Sequence, residues 1–259
     1  MGNSVRNITA IAGKELRGYF ASPTAWVMMG LFAFLFGWFF AAYLQYFVNS
    51  SMQSQFGGAP PSMNVNQHMI RPLLQNASVI VLFILPMVTM RTYSEEKRSG
   101  TIELLLTSPL TDVEIVLGKF LGAVGLYAAL LGVTMAYMVF LFVYGDPEWP
   151  ALLSGYLGLL LLGSCFISLG LFVSSTTKNQ MVAGAATFVL ALVLWIIDWM
   201  AEGAGPTMGE LLRYLSITGH FDDFGKGVID TRHVVYYLSL ISFGLFLTVK
   251  SVDTERWRG

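Results

Sequence analysis

Six long stretches of this sequence carry almost no charged side chains, and this feature limits the fold more than any other. A helix needs about 20 mostly apolar residues to cross roughly 30 Å of hydrocarbon, and each stretch is close to that length or longer. We expect six spans, at residues 24–48, 74–92, 112–144, 152–174, 180–201 and 234–250. The sequence therefore predicts an all-α integral membrane protein whose residues 1–259 form a single transmembrane domain.

The composition excludes the main alternatives to a membrane fold. Only 12% of the residues are charged and 55% are hydrophobic, whereas a soluble domain carries about 25% charged residues. One cysteine cannot form a disulfide framework, and a net charge of -1 gives no general attraction to nucleic acid. We therefore expect a lipid bilayer as the surrounding medium and no nucleic-acid partner.

The distribution of Lys and Arg predicts the orientation of the chain. With the N-terminus in the cytosol, 11 of the 15 basic residues fall on the cytosolic side, as the positive-inside rule requires. Apolar residues also recur at helical spacing from Val5 to Tyr19, ahead of the first span. We expect an amphipathic elbow helix there, both termini in the cytosol and a multi-pass protein of the plasma membrane.

Residues that could carry catalysis or bind a metal are few. None of the three histidines lies four residues from another histidine or from Cys165, so the spacing does not support a zinc site. No Gly-rich phosphate-binding loop is present, and Glu95-Glu96 beside Lys97 and Arg98 is typical of a solvated, salt-bridged run. We expect no catalytic residues, no metal site and no cofactor bound by this chain.

The most informative segment joins the second and third spans and reads SEEKRSGTIELLLTSPL from residue 94 to residue 110. Gly100 interrupts the chain, Thr101 can cap a new helix and Pro109 ends it, which predicts a short helix of about two turns. Thr111 and Glu114 then form a capping box that starts the third span. A short helix with an exposed row of leucines is suited to docking in a groove of a partner protein.

The run EEKRSGTIELLLTSPLTDVEIVLGK resembles the loop of ABC type-2 permeases, the membrane subunits of ATP-binding-cassette transporters. The resemblance covers nearly the whole chain, because the elbow helix, the six spans and a long outer segment follow the same plan. LSITGHFDDFGKGVID, from residue 215 to residue 230, is similar to permeases of the gliding-motility and nitrous-oxide-reductase-maturation types. The resemblance implies a bacterial inner-membrane permease in which the loop helix is a coupling helix.

The resemblance also implies partners and a set of coupling residues. A separate ATPase subunit would hold ATP and Mg and would dock on the loop, and a second permease copy or a related permease would complete the path. The residues that would receive motion from the ATPase are Glu95, Glu96, Gly100, Thr101, Glu103, Leu105, Thr107, Pro109 and Leu110.

The outer segments yield further expectations. Residues 49–71 are rich in Gly, Pro, Gln and Asn, which predicts a flexible loop. Between the fifth and sixth spans, a capping box at Thr207 and Glu210 and a break at Gly219 predict two short helices that return partway into the bilayer. By the resemblance these helices close the outer end of the path, with an outer gate formed by Leu215, His220, Phe221, Asp222, Phe224 and Gly227.

A Gly-x-x-x-Gly pair in the third span, Gly118 and Gly122, predicts close packing against another helix.

The leading hypothesis is a permease that works as an exporter, coupled to ATP hydrolysis in the partner. One alternative is a scaffold that passes ATP-driven motion to a periplasmic protein without transport, which a large folded outer domain would favour. A more remote alternative is an intramembrane enzyme, for which carboxylates or histidines inside the spans would be needed. The residues leave open the substrate and the choice between a homodimer and a heterodimer.

Overall fold

The structure, a computed structural model, describes residues 2–56, 64–145 and 147–256, and these ranges contain helices and turns without a β-strand. A π-helical turn, Asn66–Ile70, precedes the second span. The α-helices are α1 (Gly2–Ala21), α2 (Pro23–Phe56), α3 (Arg71–Thr89), α4 (Ser94–Ser99), α5 (Ile102–Leu106), α6 (Asp112–Tyr144), α7 (Trp149–Thr176), α8 (Gln180–Gly203), α9 (Pro206–Leu215), α10 (Ile217–Gly225) and α11 (Thr231–Arg256).

The predicted class, an all-α protein with six spans, is confirmed. Six helical segments of the described chain are long and apolar enough to cross a membrane: Pro23–Gln53, Asn66–Ser99, Asp112–Tyr144, Trp149–Thr176, Gln180–Ala201 and Thr231–Arg256. Because successive spans alternate in direction, α1, α4, α5 and the end of α11 share one face, which we call the terminal face. The opposite face carries α9 and α10, and we call it the distal face.

Two helices extend beyond the predicted spans. Helix α2 continues to Phe56 rather than ending near residue 48, and Arg71 lies at the start of α3 after the π-helical turn. The prediction of a flexible loop at residues 49–71 is therefore wrong at both ends of that segment. The polar residues after Val48 include neither Gly nor Pro until Gly57, so nothing in the sequence stops the helix. Residues 57–63 lie outside the described part.

Local capping explains where the helices begin. Thr111 and Glu114 form the predicted capping box at the start of α6. The capping box predicted at Thr207 and Glu210 is wrong, because Gly205 is the N-cap and α9 begins at Pro206, two residues earlier than a cap at Thr207 would place it. The break predicted at Gly219 is also wrong: its N–H donates to the Ser216 hydroxyl at 3.0 Å, which caps α10 and places Gly219 inside the helix.

The helices pack around α3 and α7. In the most apolar parts of these two helices 67% and 72% of the residues are buried, against 28%, 17% and 22% in α2, α8 and α11. Helix α7 contacts α3, α8, α10 and α11, and α1 packs along α6. The exposed apolar faces of α2, α8 and α11 are consistent with contact to lipid or to another transmembrane subunit.

Candidate functional site

The predicted coupling loop between α3 and α6 is attached to the helix bundle at its start. The backbone N–H groups of Tyr93 and Ser94 donate to the Ser174 hydroxyl of α7 at 3.1 Å and 3.2 Å. Gly100 ends α4 in the left-handed conformation, with φ of 73°, which a residue with a side chain rarely adopts. The chain therefore turns sharply at Gly100 and enters α5.

Helix α5 has one buried anchor and an exposed outer side. Ile102 is buried, whereas Leu104 is 74% exposed. We call this exposed side the loop surface, and its described side chains are Glu103, Leu104, Thr107 and Pro109. Leu104 lies next to the Glu103 carboxylate and outside the apolar spans.

A buried ion cluster lies beneath the loop surface. The Lys119 ammonium is 2.9 Å from the Glu15 carboxylate and 2.7 Å from the Glu96 carboxylate, and it also donates to the Thr92 carbonyl at 3.1 Å. Lys119 itself is 1% exposed. One cation thereby joins α1, α4 and α6, and we call Lys119, Glu15 and Glu96 the terminal cluster.

This cluster changes the role expected of Glu96. The sequence predicts a solvated carboxylate that receives a partner, but the structure places Glu96 half-buried with one oxygen bound to Lys119. Lys119 therefore gives the Glu96 carboxylate a partner within the chain itself. Glu95, one position earlier on α4, is exposed. The two glutamates therefore have different surroundings.

The end of α11 also contacts the loop. Lys97 of α4 forms an ion pair with Glu255. Arg256 lies 2.9 Å from Asp112 at the start of α6 and donates to the Leu110 carbonyl at 3.2 Å. The loop is therefore connected to the last span at both of its ends.

The other predicted coupling residues occupy this face in different environments. Gly100, Thr101, Glu103, Thr107 and Pro109 are exposed, Leu110 is half-buried, and the side chain of Leu105 lies outside the described part. The Thr101 hydroxyl bonds to Ser99 at 2.9 Å and contacts the Glu96 carbonyl at 3.5 Å, both of which belong to α4. It thus connects the two short helices.

The glycine pair of α6 lies against the elbow helix. A Cβ added at Gly118 would be 2.5 Å from the Ile11 Cβ, and one added at Gly122 would be 2.7 Å from the Glu15 Cβ. The two helices therefore approach more closely than larger residues would allow. This approach also brings Glu15 within reach of Lys119.

A second charged assembly occupies the distal face. The Asp222 carboxylate of α10 accepts hydrogen bonds from Arg71 at 2.6 Å and from Gln75 at 3.1 Å, both on α3. Lys226 lies 3.0 Å from Asp222 and 2.8 Å from Asp223. Burial opposes the ionisation of Asp222, but Arg71 and Lys226 outweigh it and lower the pKa of this carboxyl.

The assembly continues through two histidines. His233 Nε2 lies 2.9 Å from the Asp223 carboxylate, and its Nδ1 lies 2.6 Å from Nδ1 of His220. His220 Nε2 lies 3.0 Å from the Tyr214 carbonyl. Lys226, together with His233, lowers the pKa of Asp223, whereas burial lowers the pKa of His220. The distal network comprises Arg71, Asp222, Lys226, Asp223, His233 and His220.

The remaining predicted gate residues hold α10 against the bundle. Phe221 and Phe224 are buried, and a Cβ added at Gly158 of α7 would be 2.7 Å from Phe224 Cβ. Gly227 follows α10 with φ of 88° and packs against Ala151. Leu215 is partly exposed, and its carbonyl accepts a hydrogen bond from Tyr236 at 2.7 Å. The six predicted gate residues thus lie in one segment next to α7 and α11.

Sequence reasoning missed four residues that organise these regions. By the positive-inside rule Lys119 lies on the cytosolic side and Arg71 on the outer side, but this assignment gives no sign of their partners. His233 lies 13 residues from His220, a spacing that gives no sign of contact. Gly158 lies four residues after Ser154 in the fourth span, and this spacing of two small residues is the available signal for close packing.

Three cavities border these regions. One of about 390 Å³ lies on the terminal face between α1, α2, α3 and α4, and its lining includes Lys14, Arg91 and Glu95. Two others, of about 440 Å³ and 560 Å³, lie on the distal face on either side of Asp198 and Gly219. Within the described ranges, no group of three or more His, Cys, Asp or Glu side chains is arranged to hold a metal ion.

Comparisons with known proteins agree with this architecture. The sequence model of the family described as "ABC-2 family transporter protein" matches residues 9–244. "Probable multidrug ABC transporter permease YbhR" of Escherichia coli strain K12 is 25% identical over 201 residues, which cover 73% of this chain and 54% of that protein. "Probable ABC transporter permease protein NosY" of Pseudomonas aeruginosa is 28% identical over 182 residues, which cover 64% of this chain and 66% of that protein. The chain therefore spans about half the length of YbhR.

Proposed function

The chain belongs to the ABC-2 family of transporter proteins, and from this premise we propose that it is the membrane subunit of an ATP-driven exporter. In this proposal a separate ATPase subunit binds the loop surface and drives the movement of substrate. The observation that carries the proposal is the position of α5, on which Leu104 and Glu103 are exposed while Ile102 is buried in the hydrophobic core.

The loop has the mechanical properties that coupling requires. A lever transmits displacement only if it is fixed to the parts that must move, and α4 is fixed by Ser174, by Lys119 and by the pair Lys97–Glu255. A shift of α5 would therefore be passed to α1, α6, α7 and α11 together. We infer that the terminal cluster transmits motion and that the loop surface alone contacts the ATPase.

The proposed orientation places the terminal face in the cytosol. This face carries the greater number of Lys and Arg, including Lys14, Arg91 and Lys178, as expected for a cytosolic surface. Both described ends of the chain and the loop surface would then be accessible to an ATPase in the cytosol. For a bacterial protein the membrane would be the inner membrane.

Matched substitutions on the two faces test the docking site. We expect Leu104→Glu to reduce co-purification of the ATPase subunit encoded by a neighbouring gene about 10-fold or more. The reason is that a charge would replace an apolar contact at the centre of the interface. Glu103→Lys should weaken binding less, because a peripheral charge mainly affects the association rate. The controls are Leu211→Glu and Glu210→Lys on the distal face, where both residues are exposed. Equal losses for the distal and loop variants would contradict the assignment.

We further propose that a second copy of the chain, or a related permease, completes the path. The apolar faces of α2, α8 and α11 include many exposed large side chains, such as Trp38, Val193 and Phe243. Part of this surface would contact lipid and part the second subunit. Cross-linking in native membranes, followed by mass measurement, would detect a permease pair.

In transport, ATP hydrolysis moves a substrate across the membrane, whereas in mechanical signalling it moves only a partner protein. Residues 204–231 form two short helices that pack on the spans, an arrangement suited to closing a path. Since one relative is named as a multidrug permease, we suggest a fluorescent cationic dye as the first probe. ATP-dependent accumulation of the dye in inside-out vesicles would support export. Accumulation unaffected by Leu104→Glu would show that the dye moves by another route.

A further inference from the structure

The contact between His220 and His233 requires a proton that two neutral imidazoles do not supply. Three polar contacts hold the pair. His220 Nε2 contacts the Tyr214 carbonyl, His220 Nδ1 contacts His233 Nδ1, and His233 Nε2 contacts the Asp223 carboxylate. Each contact needs one hydrogen, because a carbonyl and an ionised carboxylate only accept. Two neutral imidazoles carry one N–H each, so one contact would bring two lone pairs together.

We propose that His220 and His233 share one additional proton, and that this proton clamps α9 and α10 to the start of α11. His233 is the cation in this arrangement, because it faces the Asp223 carboxylate, and His220 is the neutral acceptor. Burial of His220, which lowers its pKa, agrees with this assignment. The clamp does not require an ATPase partner.

The surroundings of the pair agree with a single shared charge. The Tyr236 ring stacks on His220 at 3.9 Å, and Asp223 is in turn paired with Lys226. The two Nδ1 atoms are 2.6 Å apart, which is short enough for an N–H···N hydrogen bond. The coordinating nitrogens of two imidazoles bound to one zinc ion would be about 3.3 Å apart, so the observed distance favours a proton over a metal. The other titratable or charged groups next to the pair are Tyr214 and its neighbours Glu210 and Arg213 on α9, Asp198 on α8, and Arg232 and Tyr237 on α11.

The clamp should depend on pH in one direction. While the third proton is present, all three contacts are satisfied and the distal helices are attached to α11. When the pH rises and the proton leaves, the two Nδ1 lone pairs repel and the contact between the histidines is lost. Alkaline conditions should therefore loosen α9 and α10, whereas neutral and mildly acidic conditions should keep them closed.

Nitrogen NMR can count these protons directly, because the chain has only three histidines. The full chain, labelled with ¹⁵N-histidine and held in lipid nanodiscs without added metal, should show three protonated nitrogens for the pair at pH 6.5. A scalar coupling across the N–H···N contact should accompany them and should disappear at alkaline pH. Two protonated nitrogens with no coupling at pH 6.5 would overturn the proposal. So would a stoichiometric metal ion whose removal by EDTA changes the spectrum.

Two neighbouring carboxylates provide a matched pair of variants. Asp223→Asn should move the loss of the third proton to lower pH by about one unit, because the cation loses its charged partner. Asp222→Asn removes the same charge one residue away, but Asp222 contacts Arg71 and Lys226 rather than a histidine. Its effect should be several times smaller. Equal shifts in the two variants would contradict a proton held between the histidines.

Hydrogen exchange measures the mechanical consequence. At pH 6.5 the amides of residues 206–225 should exchange at least several-fold faster in His233→Gln than in the wild-type chain. At pH 9, after correction for the intrinsic exchange rate, the two proteins should exchange at the same rate. A difference that persists unchanged at pH 9 would show that His233 has only a structural role.

Discussion

The terminal cluster and the distal network use the same kinds of side chain in different surroundings. Lys119 is enclosed by two carboxylates and a carbonyl and is 1% exposed. In the distal network the side chains of Lys226 and Asp222 are 43% and 34% exposed, and the histidine pair is the most enclosed part. One region is a buried ion cluster, and the other is a partly solvated chain of charges.

This difference affects how each region responds to its environment. A buried ion pair is hardly screened by salt, and removal of one partner leaves an uncompensated charge. A partly exposed pair contributes little and weakens with salt and acid. The terminal face is therefore suited to the rigid transmission of motion, whereas the distal face is suited to opening when the salt concentration or the pH changes.

The largest effect should come from loss of the buried cation. Lys119→Met leaves Glu15 and Glu96 without their common partner and should destabilise the protein by about 3–5 kcal/mol. The apparent Tm should fall by on the order of 10 °C. A thiol-reactive dye can report the transition, because the single cysteine, Cys165, is buried until the helices separate. The control is Lys14→Met, an exposed lysine of α1. An equal fall in Tm for both variants would show that the loss does not come from the buried ion cluster.

The close approach of α1 and α6 should have the next largest effect. Gly118→Val would place a side chain 2.5 Å from Ile11 and should cost about 1–3 kcal/mol, because α1 must move away. Gly132→Val on the same helix is the control, because no atom lies within 4 Å of a Cβ there. Thermal melting of both variants measures the difference. A control that melts as early as Gly118→Val would show that the loss reflects valine in the helix rather than helix packing.

The smallest effect should follow a change in the distal charges. Asp222→Asn should cost less than about 1 kcal/mol at pH 7, because the ion pairs are about one-third exposed. The folded-state pKa of Asp222 is lowered, so its stabilisation is present above the unfolded pKa of about 3.9 and is lost as the pH falls through the folded value. The melting difference between wild type and variant should therefore shrink as the pH falls below about 3.9, and it should also shrink in 1 M salt. A melting difference that is unchanged by acid and by salt would show that Asp222 behaves like the buried ion pairs of the terminal cluster.

Much of the fold follows from the sequence because the membrane imposes simple requirements. Backbone groups in hydrocarbon must be paired within a helix, so long uncharged stretches predict the six spans. The capping box at Thr111 and Glu114 was also predictable, since its contacts are made within four residues. The boundary near residue 48 was predicted less well, because a helix continues into water wherever no residue stops it.

The sites were predictable only in part. The sequence indicated which segments are polar and placed the coupling loop and the gate segment, but it assigned both Glu95 and Glu96 to a partner surface. The structure separates them, because one lies on the side of α4 that faces Lys119. The histidine pair was not foreseen, because its members come from different helices with no characteristic spacing.

Sequence patterns were enough to predict the lipid surroundings, the six spans and the position of the polar loop between the second and third spans. Those properties depend on local hydropathy, charge and turn residues, which are read along the chain. Among the described residues, the packing of the helices sets which charged side chains form pairs and how deeply each pair is buried. Such pairings depend on distances between helices that are far apart in sequence, and burial at those contacts sets how strongly each charge is held.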